Sequence, residues 1–459
     1  MTTPVSSTST AAQGTGATAS GPGFRPVIVG SDIGVYALAR SFHERYAVRT
    51  TVVAFAEPGP IAHSRIVDTV LSGVEGEQIV AALRKVATDL SARHPGEQLL
   101  LLTNMDWVVR VLAHRRAELE SAGFVLPFAD VALIDRISDK AEFQEICTEL
   151  GIPTPATVIQ DFRAAAEPGW EPAPVGFDFP VIAKPASSAD YHDVQFAGKK
   201  KIFEIATPAE LDRLMLSLRE AGFKGRFLVQ EMIPGDDTQM RSVTAYADTS
   251  GRVTLRCSAR VLLEERTPAA RGNPSAMIVE RIDEILDAAQ RILEHTGWKG
   301  FANFDVKLDP RDGVFKFFEQ NPRIGRNNYY LTAGGQNPTE VLVDDVIAGV
   351  RRAPVTAERE VLYSVVPRSL LRRYVLDPAL RARVVRLQRE GKAVHPLRYA
   401  ADAAPRRRLY VLTALVNHVR KYRQFYPLEA LRANYAANSA AGSGTATNGP
   451  RPHALKETP

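Results

Sequence analysis

The segment from Gly300 to Lys307, with its continuation Phe318-Glu319-Gln320-Asn321-Pro322-Arg323, limits the fold more than any other part of the chain. It reads as two strands joined by a tight turn at Asp309-Pro310-Arg311-Asp312-Gly313. Side chains alternate along a strand, so Asn303, Asp305 and Lys307 share one face, and Ala302, Phe304, Val306 and Leu308 share the other. In the second strand Glu319 and Asn321 point the same way. Closure over 309–313 therefore brings Asp305 close to the Glu319/Asn321 pair, with the cation of Arg323 beside them. Oxygen donors of this kind suit Mg²⁺, which takes one or two carboxylates and completes its shell with nucleotide phosphates and water. The pattern points to ATP-dependent chemistry. The alternative is a hairpin with a charged, solvated face. Phe301, Phe304, Phe315, Phe317 and Phe318 weigh against it, because acids in apolar surroundings are costly unless a metal or a base partners them.

The rest of the chain reads as layers that could carry such a hairpin. Arg25–Gly30 is a short buried strand, Gly30-Ser31-Asp32-Ile33-Gly34 a turn, Val35–Tyr46 a helix and Val48–Ala56 a second strand, an order that implies a parallel α/β layer. The glycines are spaced GxxxG and not GxGxxG, so a Rossmann-like scaffold without a dinucleotide is the favoured reading. Gln98–Thr103 is an apolar strand ending at Asn104-Met105-Asp106-Trp107, and such strand ends commonly face a ligand. This domain spans 25–135. Ser138 is the expected N-cap of an amphipathic helix running to Leu150. Phe179–Pro185 is a strand ending in Lys184, residues 186–201 a polar loop or hairpin, and Thr207-Pro208 opens a helix to Ala221. Phe227–Gln230 is a strand followed by a Pro-Gly turn. Met240–Tyr246 and Val253–Arg260 read as paired strands. Arg256 and Arg260 share a strand face, and either reach phosphates or balance Glu264 and Glu265.

Composition excludes several classes. The chain has 459 residues, 45% hydrophobic and 24% charged, as in ordinary globular proteins. Its two cysteines, Cys147 and Cys257, form no metal-type spacing and fit a reducing compartment. The nine histidines make neither HxxH nor HExxH, which argues against zinc. Residues 1–24 lack the basic start and apolar core of a secretion signal, and no apolar run approaches a membrane span, so the expected location is cytoplasmic. Residues 1–24 and 437–459 read as disordered tails. Residues 361–435 carry 16 Lys/Arg against 4 Asp/Glu, so the remainder of the chain is net acidic. This basic region, 360–435, reads as a helical appendage with a Tyr/Leu core (Tyr374, Leu387, Tyr410, Leu412, Tyr422 and Tyr426), or as a wall that steers an anionic substrate. No nucleic-acid module is recognised there.

Lys140 and Lys184 are lone cations at element ends in apolar contexts, and each could hold triphosphate oxygens. The stretch Val229-Gln230-Glu231-Met232-Ile233 could read an adenine edge through its backbone, with Asp236 or Asp237 on the ribose. In this order the pieces resemble the ATP-grasp superfamily over residues 25–350. The likeness rests on Asp139-Lys140, Ile182-Ala183-Lys184-Pro185, Gln230-Glu231, and Asp305 with Glu319-Gln320-Asn321-Pro322-Arg323. Phe196–Lys201, Ile233–Arg241 and Asn321–Asn328 further resemble the D-aspartate ligases of cell-wall synthesis.

The resemblance implies an α/β and α+β architecture. A Rossmann-like pre-ATP-grasp domain would precede an ATP-grasp domain at 136–350, with subdomains 136–230 and 231–350 and a basic C-terminal extension. It implies Asp305, Glu319 and Asn321 on Mg²⁺, with Mn²⁺ as an alternative ion. Lys140, Lys184, Gln230, Glu231, Ile233 and Asp237 would contact ATP, and Arg323 the transferring phosphoryl group. The loop after Lys184 is Ala186-Ser187-Ser188-Ala189-Asp190 and departs from the glycine-rich loop of many such proteins, so Ser187 and Ser188 would cover the phosphates. Arg326 is either a clamp for the carboxylate that is not activated or a surface arginine. The implied reaction activates an acidic amino acid with ATP and joins it to an amine acceptor, such as the lysine of a UDP-linked muramyl peptide. A homodimer is common in such enzymes. Two alternatives stay open: a ligase for other acids and amines, and an ATP-binding regulatory protein without turnover.

Overall fold

A computed structural model describes residues 23–435 apart from 57–58, 192, 268–269, 271, 430 and 434. The tails expected over 1–24 and 437–459 lie outside these residues except for Gly23 and Phe24. Phe24 is fully buried and opens the first strand, so it belongs to the sheet and not to a tail.

The first layer is a parallel sheet. Strands β1 (Phe24–Val29), β2 (Thr50–Ala54), β3 (Val67–Leu71), β4 (Gln98–Thr103) and β5 (Phe124–Val125) lie in the order β3-β2-β1-β4-β5, and every pairing is parallel. Phe24 and Ile28 enter one core and Val27 and Val29 another, because helices cover both faces. The order reverses at β1, which opens a crevice beyond the carboxyl ends of β1 and β4. There Asp32 caps the helix Ile33–Tyr46 by accepting from the amides of Gly34 and Val35, and Asn104 Nδ2 donates to Asp32 Oδ1 at 2.8 Å. The second glycine of the GxxxG has a steric reason: a Cβ on Gly34 would sit 2.5 Å from the carbonyl oxygen of Arg326.

The second layer is antiparallel: β6 (Thr157–Asp161), β7 (Val181–Pro185), β8 (Phe203–Ile205) and β9 (Arg226–Glu231), in the order β6-β9-β7-β8. The third is larger. It holds β10 (Met240–Ala247), β11 (Val253–Glu264), β12 (Pro274–Val279), β13 (Gly300–Leu308), β14 (Phe315–Asn321), β15 (Val355–Ala357), β16 (Leu362–Ser364) and β17 (Ala393–Val394). Its order is β14-β13-β10-β11-β12-β16-β17, with β15 beside β11. The hairpin that dominates the sequence forms as β13–β14, with Asp305 opposite Glu319 and Asn303 opposite Asn321. Phe304 and Phe317 pack edge-on beneath it, 5.9 Å between ring centroids. Gly313 takes a positive φ in the turn and its amide closes onto Asp309 O.

Two expectations are corrected. Ser138 ends the helix Val131–Ser138, so Asp139 is the N-cap of the helix Lys140–Glu149 and accepts from the amides of Ala141 and Glu142. The basic region is not purely helical, because β16 and β17 extend the large sheet past β12. Of its expected core, Tyr374, Leu387 and Tyr422 are buried, but Leu412 is 59% exposed on the outer side of the terminal helix, Pro405–Phe425.

The start of that helix carries a buried ion pair whose two members hydrogen-bond to the first layer. Arg407 Nε lies 2.9 Å from Asp402 Oδ2, and both residues are 1% exposed. Asp402 also accepts from the hydroxyls of Tyr36 and Ser64, each at 2.8 Å, and from the amide of Arg65. Arg407 donates to the carbonyls of Pro60 and Ala62 and lies over the Tyr36 ring. Removing one partner strands the other charge without solvent. Asp402→Ala is therefore expected to lower stability by about 3–5 kcal/mol in urea unfolding, and an unchanged midpoint would contradict this role.

Candidate active site

The two acids of the hairpin face cations from separate layers. Lys140 is the first residue of its helix, and its Nζ lies 3.1 Å from Glu319 Oε2. That neighbouring charge holds the Glu319 carboxyl down to about 2, while Glu319 in turn raises Lys140. Asp305 goes the other way: burial, then the Glu319 charge, push it up to about 8. Asn321 Nδ2 donates to Asp305 Oδ2 at 3.3 Å.

Lys184 sits on β7 and is 8% exposed. Its Nζ lies 5.7 Å from the centre of the Phe318 ring. Among the described residues no carboxylate is within ion-pair distance of it, and burial lowers the amine from an ordinary 10.5 to about 8. It is a cation held out of water with an unmet demand for an anion.

The crevice of the first sheet closes the other side. Arg323 Nε lies 3.1 Å from Asp106 Oδ1, just beyond β4. Arg326 Nε lies 3.2 Å from Asp32 Oδ2, just beyond β1. A cavity lined by Asn303, Asp305, Asn321, Arg323, Arg326 and Asn327 joins these arginines to Asp305. Two carboxylates and an amide, with no third acid, histidine or cysteine clustered among the described residues, make a hard oxygen donor set. Such a set fits an Mg²⁺ ion that completes its shell with phosphate and water.

The remaining predicted residues fall into two groups. Ser187 stays beside Lys184, its Oγ accepting from the amide of Asp190 at 3.3 Å. Ser188 opens the short helix Ser188–Tyr191, and its side chain is outside what the structure describes. Gln230, Glu231, Ile233 and Asp237 line up along the hinge that leaves β9, but their polar atoms have protein partners. Gln230 Nε2 donates to Thr157 Oγ1. Glu231 accepts from the Ala156 amide and from Lys316 and Arg311. The carbonyl of Ile233 accepts from Lys307 Nζ at 2.8 Å. Asp237 is paired with Arg266 and accepts from the Glu264 amide. The carboxylates of Glu231 and Asp237 thus anchor the hinge and are not brought to the cation cluster. Arg256 pairs with Asp287 and donates to Gln290, while Arg260 donates to Thr238 O.

Sequence reasoning missed Asp32 and Asp106, which orient Arg326 and Arg323. Both follow strand ends, and the Asn104-Met105-Asp106 end carried a visible signal.

Lys184 sets a stability window. The unfolded amine titrates near 10.5 and the folded one near 8, so between these values the unfolded chain holds more protons and stability rises with pH. Lys184→Met is expected to melt higher than the wild type at pH 7, with the gap closing between pH 8 and 10.5. A gap independent of pH, read by thermal melting, would contradict the buried charge.

No established family profile matches the sequence. The chain is 31% identical over 413 residues to a D-aspartate ligase of Enterococcus faecium, covering 88% of this chain and 97% of that protein. Among solved structures it is similar to the biotin carboxylase domain of the 2-oxoglutarate carboxylase of Hydrogenobacter thermophilus, in complex with MgADP, ADP and bicarbonate. That match has a TM-score of 0.51 at 16% identity, over 74% of this chain and 73% of the other. Taken with the paired hairpin acids and their flanking lysines, these relations mean that the chain belongs to the D-aspartate ligase family and is an ATP-dependent carboxylate–amine ligase with the ATP-grasp fold.

Proposed function

We propose that the enzyme joins D-aspartate, or a related acidic amino acid, to the lysine side-chain amine of a peptidoglycan precursor. The observation that carries this reading is the cavity that Asp305 shares with Arg323 and Arg326. Two arginines in one cavity support it, because a dicarboxylate activated by ATP needs one cation for the phosphoryl group and another for the second carboxylate. The identity to a D-aspartate ligase over nearly its full length supports the choice of acid. The basic C-terminal region supports an acceptor rich in phosphate and carboxylate, such as a UDP-linked muramyl peptide. ATP and such precursors place the reaction in the cytoplasm, and no helix among the described residues is long and apolar enough to cross a membrane.

In this reading Asp305, Glu319 and Asn321 hold Mg²⁺, which when bound neutralises charge on the phosphates. Lys140 and Lys184 hold triphosphate oxygens. Desolvation makes the Lys184 charge act strongly on them. Arg323 steadies the phosphoryl group as it moves. The acid's carboxylate oxygen attacks the γ-phosphorus and ADP leaves. The acceptor amine then attacks the acyl carbon, phosphate leaves with the C–O electron pair, and the amine's proton goes to solvent. The chain need supply no covalent nucleophile. Its two cysteines are buried, and burial pushes both thiols up, away from the reactive thiolate.

The test is ADP release with ATP, Mg²⁺, D-aspartate and UDP-muramyl-pentapeptide, each omitted in turn. Release is expected to need both acid and peptide and to give a product one aspartyl residue heavier. Release that is indifferent to the acid, across D- and L-aspartate and glutamate, would move the assignment to another reaction.

A further inference from the structure

Behind Arg326 lies a group of polar atoms that the phosphoryl chemistry does not use. Glu265 follows β11 and is 3% exposed. Its Oε1 lies 3.9 Å from Arg326 Nη1 and 3.9 Å from His418 Nδ1, both too long for a hydrogen bond. Glu265 Oε2, Arg326 Nη1 and His418 Nδ1 are all buried and without a hydrogen-bond partner. A buried carboxylate in this condition is costly unless a ligand brings it donors.

The group is held in place from three directions. Asp32 fixes Arg326 from the first sheet. The Glu265 amide donates to Asn273 O at 2.8 Å, and Asn273 lines the same cavity as Asp305 and Arg323. The terminal helix clamps the β11–β12 end: Tyr422 OH donates to Glu264 O at 2.6 Å and lies 2.7 Å from Ser275 Oγ. His418 is one turn earlier on that helix. Burial lowers its imidazole from the ordinary value, so it does not compete as a cation for Glu265.

We propose that Arg326 and Glu265 form a subsite for the α-carboxylate and α-ammonium of the acid substrate, with His418 completing its wall. This deepens the ligase reading and rests on it. An amino acid head group carries one anion and one three-donor cation on the same carbon, and the subsite offers a guanidinium beside a carboxylate whose Oε2 has no hydrogen-bond donor. A phosphate or second carboxylate would meet Glu265 with like charge. With the head group held here, the side-chain carboxyl is the one presented to Asp305 and Arg323. The terminal helix, and with it the basic region, becomes part of the amino acid site.

The test compares aspartate, as each enantiomer, with succinate, which has both carboxylates and no ammonium. Wild type and Glu265→Gln are assayed by ADP release, and by calorimetric binding with Mg²⁺ and a non-hydrolysable ATP analogue. Wild type is expected to prefer aspartate by about 100-fold or more in kcat/KM. Glu265→Gln is expected to raise the aspartate KM by about 10- to 100-fold with a smaller change in kcat, and to shrink the preference. Glu265→Asp should recover part of it, which a merely structural role would not produce. An unchanged preference in Glu265→Gln, or a KM effect confined to the amine acceptor, overturns the subsite. Equal use of succinate by wild type overturns it while leaving the ligase reading intact. Absence of any acid-dependent ADP release removes the ligase reading, whereas a calorimetric preference for aspartate that Glu265→Gln loses would still uphold the subsite.

Discussion

Two carboxylates facing each other across a half-buried hairpin repel, and the rest of the site is arranged around that repulsion. Asp305 and Glu319 are fixed opposite each other by the register of β13 and β14. Glu319 is stabilised by Lys140, whereas Asp305 meets the amide of Asn321 and the more distant charges of Arg323 and Lys184. One acid is thus kept charged and the other is forced toward its neutral form, until a cation joins them. Lys184 is the complementary case, a buried amine whose nearest acids, Glu319 and Asp305, act on it from beyond ion-pair distance among the described residues. Together they describe a site with excess demand for both a divalent cation and phosphate oxygens.

The fold supplies these charges from layers that the chain visits at different times. Lys184 comes from the four-stranded sheet, Lys140 from the helix before it, and the acids from the large sheet. The parallel sheet adds Asp32 and Asp106, which orient Arg326 and Arg323. Its switch point carries no GxGxxG, yet it places polar strand ends against Arg323 and Arg326. Gly34 shows how close the contact is, since any side chain there would meet the backbone of Arg326.

Much of this was legible in the sequence, for local reasons. Alternation of period two gave the faces of β13, and the phenylalanines showed apolar surroundings; the register shift that sets Val306 opposite Phe317 left no such signal. Pro208 after Thr207 marked a helix start, and Thr207 does cap it. Local reasoning failed where two local readings compete: Ser138 and Asp139 both cap well, and only the preceding helix decides between them. It failed again where roles depend on distant partners. Glu231 and Asp237 look like free ligands in sequence, but Arg311, Lys316 and Arg266 claim them. Glu265 looks like a counter-ion for its own strand, but faces Arg326 and His418 instead.

The central claim is that Asp305 and Glu319 form one cation site. Its most direct measurement is a Mn²⁺ titration followed by electron paramagnetic resonance, with a non-hydrolysable ATP analogue present, on wild type and on Asp305→Ala. The account predicts saturable binding in wild type and at least about a tenfold loss of affinity in the variant, as expected when a ligand is removed from a hard-cation site. Equal affinity in the two proteins would contradict it.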